Sequence, residues 1–137
     1  MPVWLLAVIV PFMSAPAHAA DSRRLPPCPE SPNCVSSQAG DSAHYIAPLA
    51  AAPDPELAWR RLKAALGALP RLRVVEEDPD YLHAEATSRV FRFVDDVEFL
   101  LDRDGGLIHV RSASRTGYSD FGVNRRRVER IRRMLGP

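Results

Sequence analysis

The densest collection of chemistry-bearing side chains lies between Ser112 and Arg127, in S-A-S-R-T-G-Y-S-D-F-G-V-N-R-R-R. It carries hydroxyls at Ser112, Ser114, Thr116, Tyr118 and Ser119, a carboxylate at Asp120, an amide at Asn124 and guanidinium groups at Arg115, Arg125 and Arg127. Guanidinium is a planar, fork-shaped donor matched to carboxylate and phosphate, and the glycines at 117 and 122 let a backbone approach a ligand closely. Where such a segment opens a helix, free N–H groups add to its attraction for anions. The chemistry these residues suit is recognition of an anionic group, with Arg115, Tyr118, Asp120, Asn124, Arg125 and Arg127 as candidates. They also have a purely structural use, in which Asp120 caps the helix and Asn124 braces the loop.

A second place where chemistry is conceivable is R-V-F-R-F-V-D-D-V-E-F, residues 89–99. Asp95 falls in the same alternating phase as Phe93 and Val97, and a buried carboxylate costs several kcal/mol unless it is paired. Either a bulge at Asp95-Asp96 turns it outward or an arginine meets it; Arg89, Arg92, Arg111 and Arg115 are the available partners. The expectation is a structural ion pair rather than a catalytic acid, and Arg89 and Asp95 join the candidate ligand-binding residues. The alternative is an enzyme of unrecognised class that uses Asp95 or Asp96 with Arg89, Arg92 and Tyr118. The sequence contains no G-x-S-x-G, H-E-x-x-H or phosphate-loop motif, so no reaction is indicated by spacing. His83 and His109 lie on the polar phase of strands that a meander places two apart, which makes them surface residues rather than a metal pair. No metal and no cofactor is expected.

The elements that must position these residues follow from periodicity. Asp54-Pro55 supplies an acidic N-cap and a proline at the first helical position; Trp59, Leu62, Leu66 and Leu69 then recur at spacings of three and four until Pro70. Four strands are predicted at 72–77, 81–87, 91–102 and 107–113, joined by short turns at D-P-D and R-D-G-G that make neighbours antiparallel. On the third strand Phe91, Phe93, Val97, Phe99 and Leu101 share the phase that faces the helices. Phe121, Val128, Ile131 and Leu135 define a second helix, with Asn124 on the same inward stripe and most of its arginines outside it. The order α-β-β-β-β-α makes an α+β domain over 54–137, a four-stranded antiparallel meander with two helices on one face.

Ahead of this domain, residues 20–53 are rich in Pro, Ser and Ala and read as an irregular arm wrapping the fold. Cys28 and Cys34 enclose P-E-S-P-N, a spacing that fits one local disulfide in an oxidising compartment; free thiols are the alternative, and a zinc site or a Cys-x-x-Cys redox motif is poorly matched. Val3 to Met13 is an apolar run of eleven residues, short of the ~20 that span a bilayer. With Ala17 and Ala19 forming an A-x-A site, residues 1–19 read as a signal peptide cleaved near Ala19, and the product is expected to be exported, periplasmic or extracellular. No basic residue precedes the run, and a buried N-terminal helix or strand is the competing reading.

Over 137 residues, eighteen basic and seventeen acidic side chains give a net charge of +1, which argues against bulk electrostatic binding of nucleic acid. The total is a cancellation. Residues 76–104 hold ten acids and three arginines, while 111–137 hold eight arginines and two acids. Either these segments pair with each other and with solvent, or the arginines converge on an anionic ligand or a phospholipid surface.

Three segments, C-P-E-S-P-N-C-V-S-S from Cys28, Y-L-H-A-E-A-T-S-R-V-F-R-F-V-D-D-V-E-F from Tyr81 and I-H-V-R-S-A-S-R-T-G-Y-S-D-F-G-V-N-R-R-R-V-E from Ile108, together resemble the domain of unknown function 1499 (DUF1499) family across Cys28 to Met134. The resemblance implies no activity, since that family has none established. Its motif positions fall here on Cys28, Pro32, Asn33 and Cys34; on Arg89, Phe93, Asp95 and Asp96; on Arg111, Ser112, Ser114, Arg115, Gly117, Tyr118 and Asp120; and on Asn124, Arg125 and Arg127. The expected function is that of a small exported, noncatalytic domain that recognises an anionic small molecule, a lipid headgroup at a membrane surface, or a protein partner. The enzyme named above and a purely structural or assembly protein are the competing expectations.

Overall fold

The structure, a computed structural model, describes residues 24–137; the expected signal peptide at 1–19 lies outside the described residues. The elements are β1 (Cys34–Ser36), β2 (Leu49–Ala50), α1 (Pro55–Ala68), β3 (Leu72–Glu77), β4 (Tyr81–Thr87), β5 (Val94–Asp102), β6 (Leu107–Ser114) and α2 (Val123–Leu135). As the periodicity requires, the class is α+β, an antiparallel sheet covered by two helices. Asp54 caps α1 by accepting a bond from the Leu57 N–H at 3.1 Å, and Pro55 occupies the first turn, where its missing donor is not needed.

Among the described residues the sheet has six strands, not four. Strands β3 to β6 form the expected meander, and the arm adds β1 and β2, both antiparallel to β6. Alone, β6 would be an open edge with a row of unsatisfied backbone groups beside the core. Cys34, Val35 and Leu49 of the arm complete it and are themselves buried. Strands of two and three residues are too short to show alternation, so Pro and Ser composition hid them. The core fills the space between sheet and helices with Leu62 and Leu66 of α1, Leu82 of β4, Val97, Phe99 and Leu101 of β5, Ile108 and Val110 of β6, and Val128 and Ile131 of α2.

Two predicted placements are corrected. Phe91 and Phe93 do not continue the apolar phase of β5: the strand begins at Val94, because Arg92 has φ 53° and breaks the extended backbone. Both rings are exposed and stack on each other at 5.6 Å. Phe121 likewise lies outside the inward stripe of the last helix. That helix starts at Val123, and Phe121, with φ 53°, points into solvent.

Candidate functional site

Strand and helix geometry brings half of the predicted residues into one buried network. On β6 the side chain of Ser112, and on α2 that of Asn124, are sealed from solvent. Asn124 Nδ2 donates to Asp120 Oδ2 at 2.8 Å, to Ser114 Oγ at 2.9 Å and to the Asn33 carbonyl at 3.2 Å. Its Oδ1 accepts from Ser112 Oγ at 2.7 Å and from Arg127 Nη1 at 2.8 Å. The amide thus uses both donors and its acceptor, as a buried polar group must.

Asp120 anchors the other side of the same network. Its Oδ1 accepts from the Gly122 N–H at 2.8 Å and its Oδ2 from the Asn124 N–H at 3.0 Å, so from two residues ahead it satisfies the N-cap, Gly122, and the second N–H of α2. Burial works to raise its pKa, but these bonds together with that from the Asn124 amide outweigh it and hold the carboxyl below its ordinary value.

Asp95 is buried and ion-paired, as expected, but with none of the four arginines anticipated. Arg127 Nη2 meets its Oδ2 at 2.6 Å. The reason is the pleat: Asp95 faces the helices, and consecutive strand residues face opposite sides. Asp96 therefore points to the other face of the sheet, where Arg115 donates to both of its oxygens at 2.8 Å and His83 Nε2 lies 2.7 Å from Oδ1. The Arg115 bonds, opposed by burial and aided by His83, hold Asp96 below the ordinary carboxylate range. Beside it, Glu98 accepts from Tyr81 Oη at 2.7 Å and from Arg111 Nη1 at 3.1 Å. Burial, reinforced by Glu98, pushes the Tyr81 hydroxyl well up. His109 contacts Ser37 Oγ at 3.2 Å through Nδ1. This face is a ladder of ion pairs, and no group of His, Cys, Asp or Glu among the described residues is arranged to hold a metal.

The remaining candidates serve separate ends. Arg125 Nη2 donates to the Ala43 carbonyl at 3.3 Å and clamps the arm, as Arg132 does at the Ala47 and Pro48 carbonyls at 2.6 and 2.7 Å. Arg89, Arg92 and Tyr118 stand exposed on two loops. The proposed enzyme set is thus distributed over both sheet faces and the loop tips. Cys28 and Cys34 form the disulfide. It fixes Asn33, whose Nδ2 donates to the Gly117 carbonyl at 2.7 Å and whose Oδ1 accepts from Ser31 Oγ at 2.7 Å. The arm, the β6–α2 loop and the start of α2 are thereby tied together.

Next to this network opens a cavity of about 250 Å³ between the end of α1, the start of β3 and the first two turns of α2. Arg71, Arg126, Arg127 and Arg130 line it with Thr87 and apolar residues, and among the described residues no carboxylate belongs to its wall. Arg127 is neutralised by Asp95, and Arg126 Nη1 donates to the Phe121 carbonyl at 2.6 Å. Arg71 and Arg130 bond to no side chain among the described residues. None of Arg71, Arg126 and Arg130 was singled out from the sequence, although a signal existed: Val123, Arg126, Arg127 and Arg130 recur at three and four, one face of a helix beside the apolar stripe. A larger cavity of about 490 Å³ at the opposite end is lined by both signs of charge, with Lys63 paired to Glu77 at 3.1 Å and Arg103 bonded to Glu56 and Asp80.

A family model described as "Protein of unknown function (DUF1499)" matches residues 24–135 of the 137-residue chain. No curated protein and no solved structure matches the chain. The match covers every described element and both tied loops, and the chain belongs to the DUF1499 family.

Proposed function

We propose that this is a noncatalytic binding protein of the cell envelope that holds a phosphate- or carboxylate-bearing group at its arginine-lined end. The observation that carries the reading is the cavity of about 250 Å³ whose charged wall, among the described residues, is arginine alone, with Arg71 and Arg130 bonded to no side chain there. Ligand pockets for drug-sized molecules run from ~300 to ~1,000 Å³, so this one suits a small anion or a headgroup rather than a large cofactor. The buried network of Asp95, Asp120, Asn124 and Arg127 serves as its rigid floor, since every member is already bonded within the fold. Export is supported by the Cys28–Cys34 disulfide, a bond that persists in oxidising compartments. Catalysis by the carboxylates is disfavoured because Asp95 and Asp96 point to opposite faces and each is ion-paired.

The test is titration of the protein with glycerol phosphate and with inorganic phosphate. Charge-assisted bonds from Arg are worth roughly 1.5–3 kcal/mol each, so Arg71→Ala or Arg130→Ala should weaken binding by about tenfold or more, and Arg60→Ala in the mixed-charge cavity should not. Equal affinities for all three variants and the parent would end this reading.

A further inference from the structure

Thr87 pairs with Val94 and Asp95 pairs with Ser114, so the β4–β5 and β6–α2 connections leave the sheet at the same end. Leu72 pairs with Ala86, which brings the α1–β3 connection there too. The five most exposed large apolar side chains among the described residues sit on two of these connections. Val90, Phe91 and Phe93 are 77, 75 and 56% exposed, and Tyr118 and Phe121 are 74 and 85% exposed. Each of the three connections also carries a non-glycine residue in the left-handed region: Arg71 at φ 59°, Arg92 at 53° and Phe121 at 53°. L-residues rarely adopt this conformation, and it persists where the surroundings hold it. Apolar tips and arginines are thus presented together.

Charge is divided along the same axis. At the aromatic end Arg71, Arg89, Arg92 and Arg130 face solvent, whereas Asp95, Asp96 and Asp120 are consumed by partners inside the fold. The opposite end carries the β3–β4 and β5–β6 turns, where Asp80, Glu56 and Glu77 pair with Arg103 and Lys63 while Asp78, Asp102 and Asp104 have no ion-pair partner among the described residues. A body charged this way is drawn to an anionic surface by one end and repelled at the other, which orients it before contact.

We propose that this end docks on an anionic phospholipid bilayer, with Phe91, Phe93, Tyr118 and Phe121 entering the headgroup region and the arginines engaging lipid phosphates. The proposal rests on the anion-binding reading above and names the surface from which the phosphate comes. Aromatic side chains favour the membrane interface, and basic side chains near it are attracted by anionic lipid. Val90, Phe91, Tyr118 and Phe121, about three-quarters bare or more on two separate tips, have little apolar surface among the described residues to cover them. A bilayer accepts such tips without a shaped counterpart.

The experiment is co-sedimentation of the full chain with vesicles of phosphatidylglycerol and phosphatidylcholine in equal parts, and with vesicles of phosphatidylcholine alone. The N-terminal apolar run is common to all variants, so differences between them report the tips. The parent should bind the anionic vesicles in preference to the neutral ones. Phe91→Ser with Phe121→Ser should lower the bound fraction by about tenfold or more, with an unchanged melting temperature and unchanged glycerol phosphate affinity. Equal binding of the double variant, or equal binding to neutral vesicles, overturns the docking. If the parent binds glycerol phosphate and no vesicle, the docking fails and the anion-binding reading stands. If the Phe variant loses vesicles while Arg71→Ala and Arg130→Ala lose nothing, the docking stands and the arginine groove fails.

Discussion

Replacing Asn124 by alanine removes the hub of the buried network. Five side-chain hydrogen bonds disappear, to Asp120, Ser114, the Asn33 carbonyl, Ser112 and Arg127. Several former partners keep a second bond: Asp120 still accepts from two backbone N–H groups, the Asn33 carbonyl from the Ser114 N–H, and Ser112 Oγ from Arg127 at 3.1 Å. The Ser112 hydroxyl proton does not; it is left without its acceptor in a position of zero exposure. An orphaned buried donor costs about 1–3 kcal/mol, and each lost bond to a charged group about 1.5–3 kcal/mol before partial compensation. The sum expected is about 3–5 kcal/mol. For a domain of this size that is a fall in melting temperature of roughly 15–25 °C, read by circular dichroism and checked by urea titration with an unchanged m-value. A fall below about 5 °C would mean that the network contributes less than about 1 kcal/mol, and the rigid-floor argument would be wrong.

Three further outcomes follow from the same geometry. Asp95→Ala leaves Arg127 largely buried without its carboxylate and should cost about 3–5 kcal/mol, whereas Asp95→Ala combined with Arg127→Leu should recover much of the loss; an unchanged melting curve for the single variant would refute the buried pair. His44 faces acceptors at both ring nitrogens, the Ser31 carbonyl at 2.9 Å and Asp41 Oδ2 at 2.7 Å. The Ser31 bond first and Asp41 second raise its pKa above 6.5, so the stabilisation is complete below that value and disappears as pH rises through the folded pKa. Melting temperatures of the parent should therefore decline relative to His44→Gln as pH rises above about 6.5, and parallel curves would contradict a role for the His44 bonds to Ser31 and Asp41. Phe121→Gly relieves a left-handed non-glycine residue that is exposed, an effect of about 1–2 kcal/mol reduced by the greater entropy of glycine in the unfolded chain; the melting temperature should rise by a few degrees, and a fall would show that Phe121 has a folding role.

Much of the fold was legible because its signals are local. Asp54-Pro55, the turn sequences and the alternation of Leu82, Ala84 and Ala86 locate their elements to within a residue or two. Phe91 and Phe93 misled because no glycine or proline interrupts the alternation before Val97; what ends the strand is Arg92 in a conformation that composition does not announce. The Asp95 partner was missed because it lies 32 residues away on α2, and the choice among arginines depends on which sheet face each one reaches. The inward Asn124 was legible from its stripe. The arginine-lined cavity was not, because Arg71 comes from the α1–β3 connection and meets Arg126 and Arg130 only after both helices cover the same face.

The central claim is that the arginine end holds an anionic phosphate group, and the most direct measurement is NMR observation of arginine side-chain Nε–H signals during titration with glycerol phosphate. Saturable shifts are expected at Arg71 and Arg130, with Arg103 at the opposite end unmoved. Shifts spread evenly over all exposed arginines, or none at Arg71 and Arg130, would contradict it.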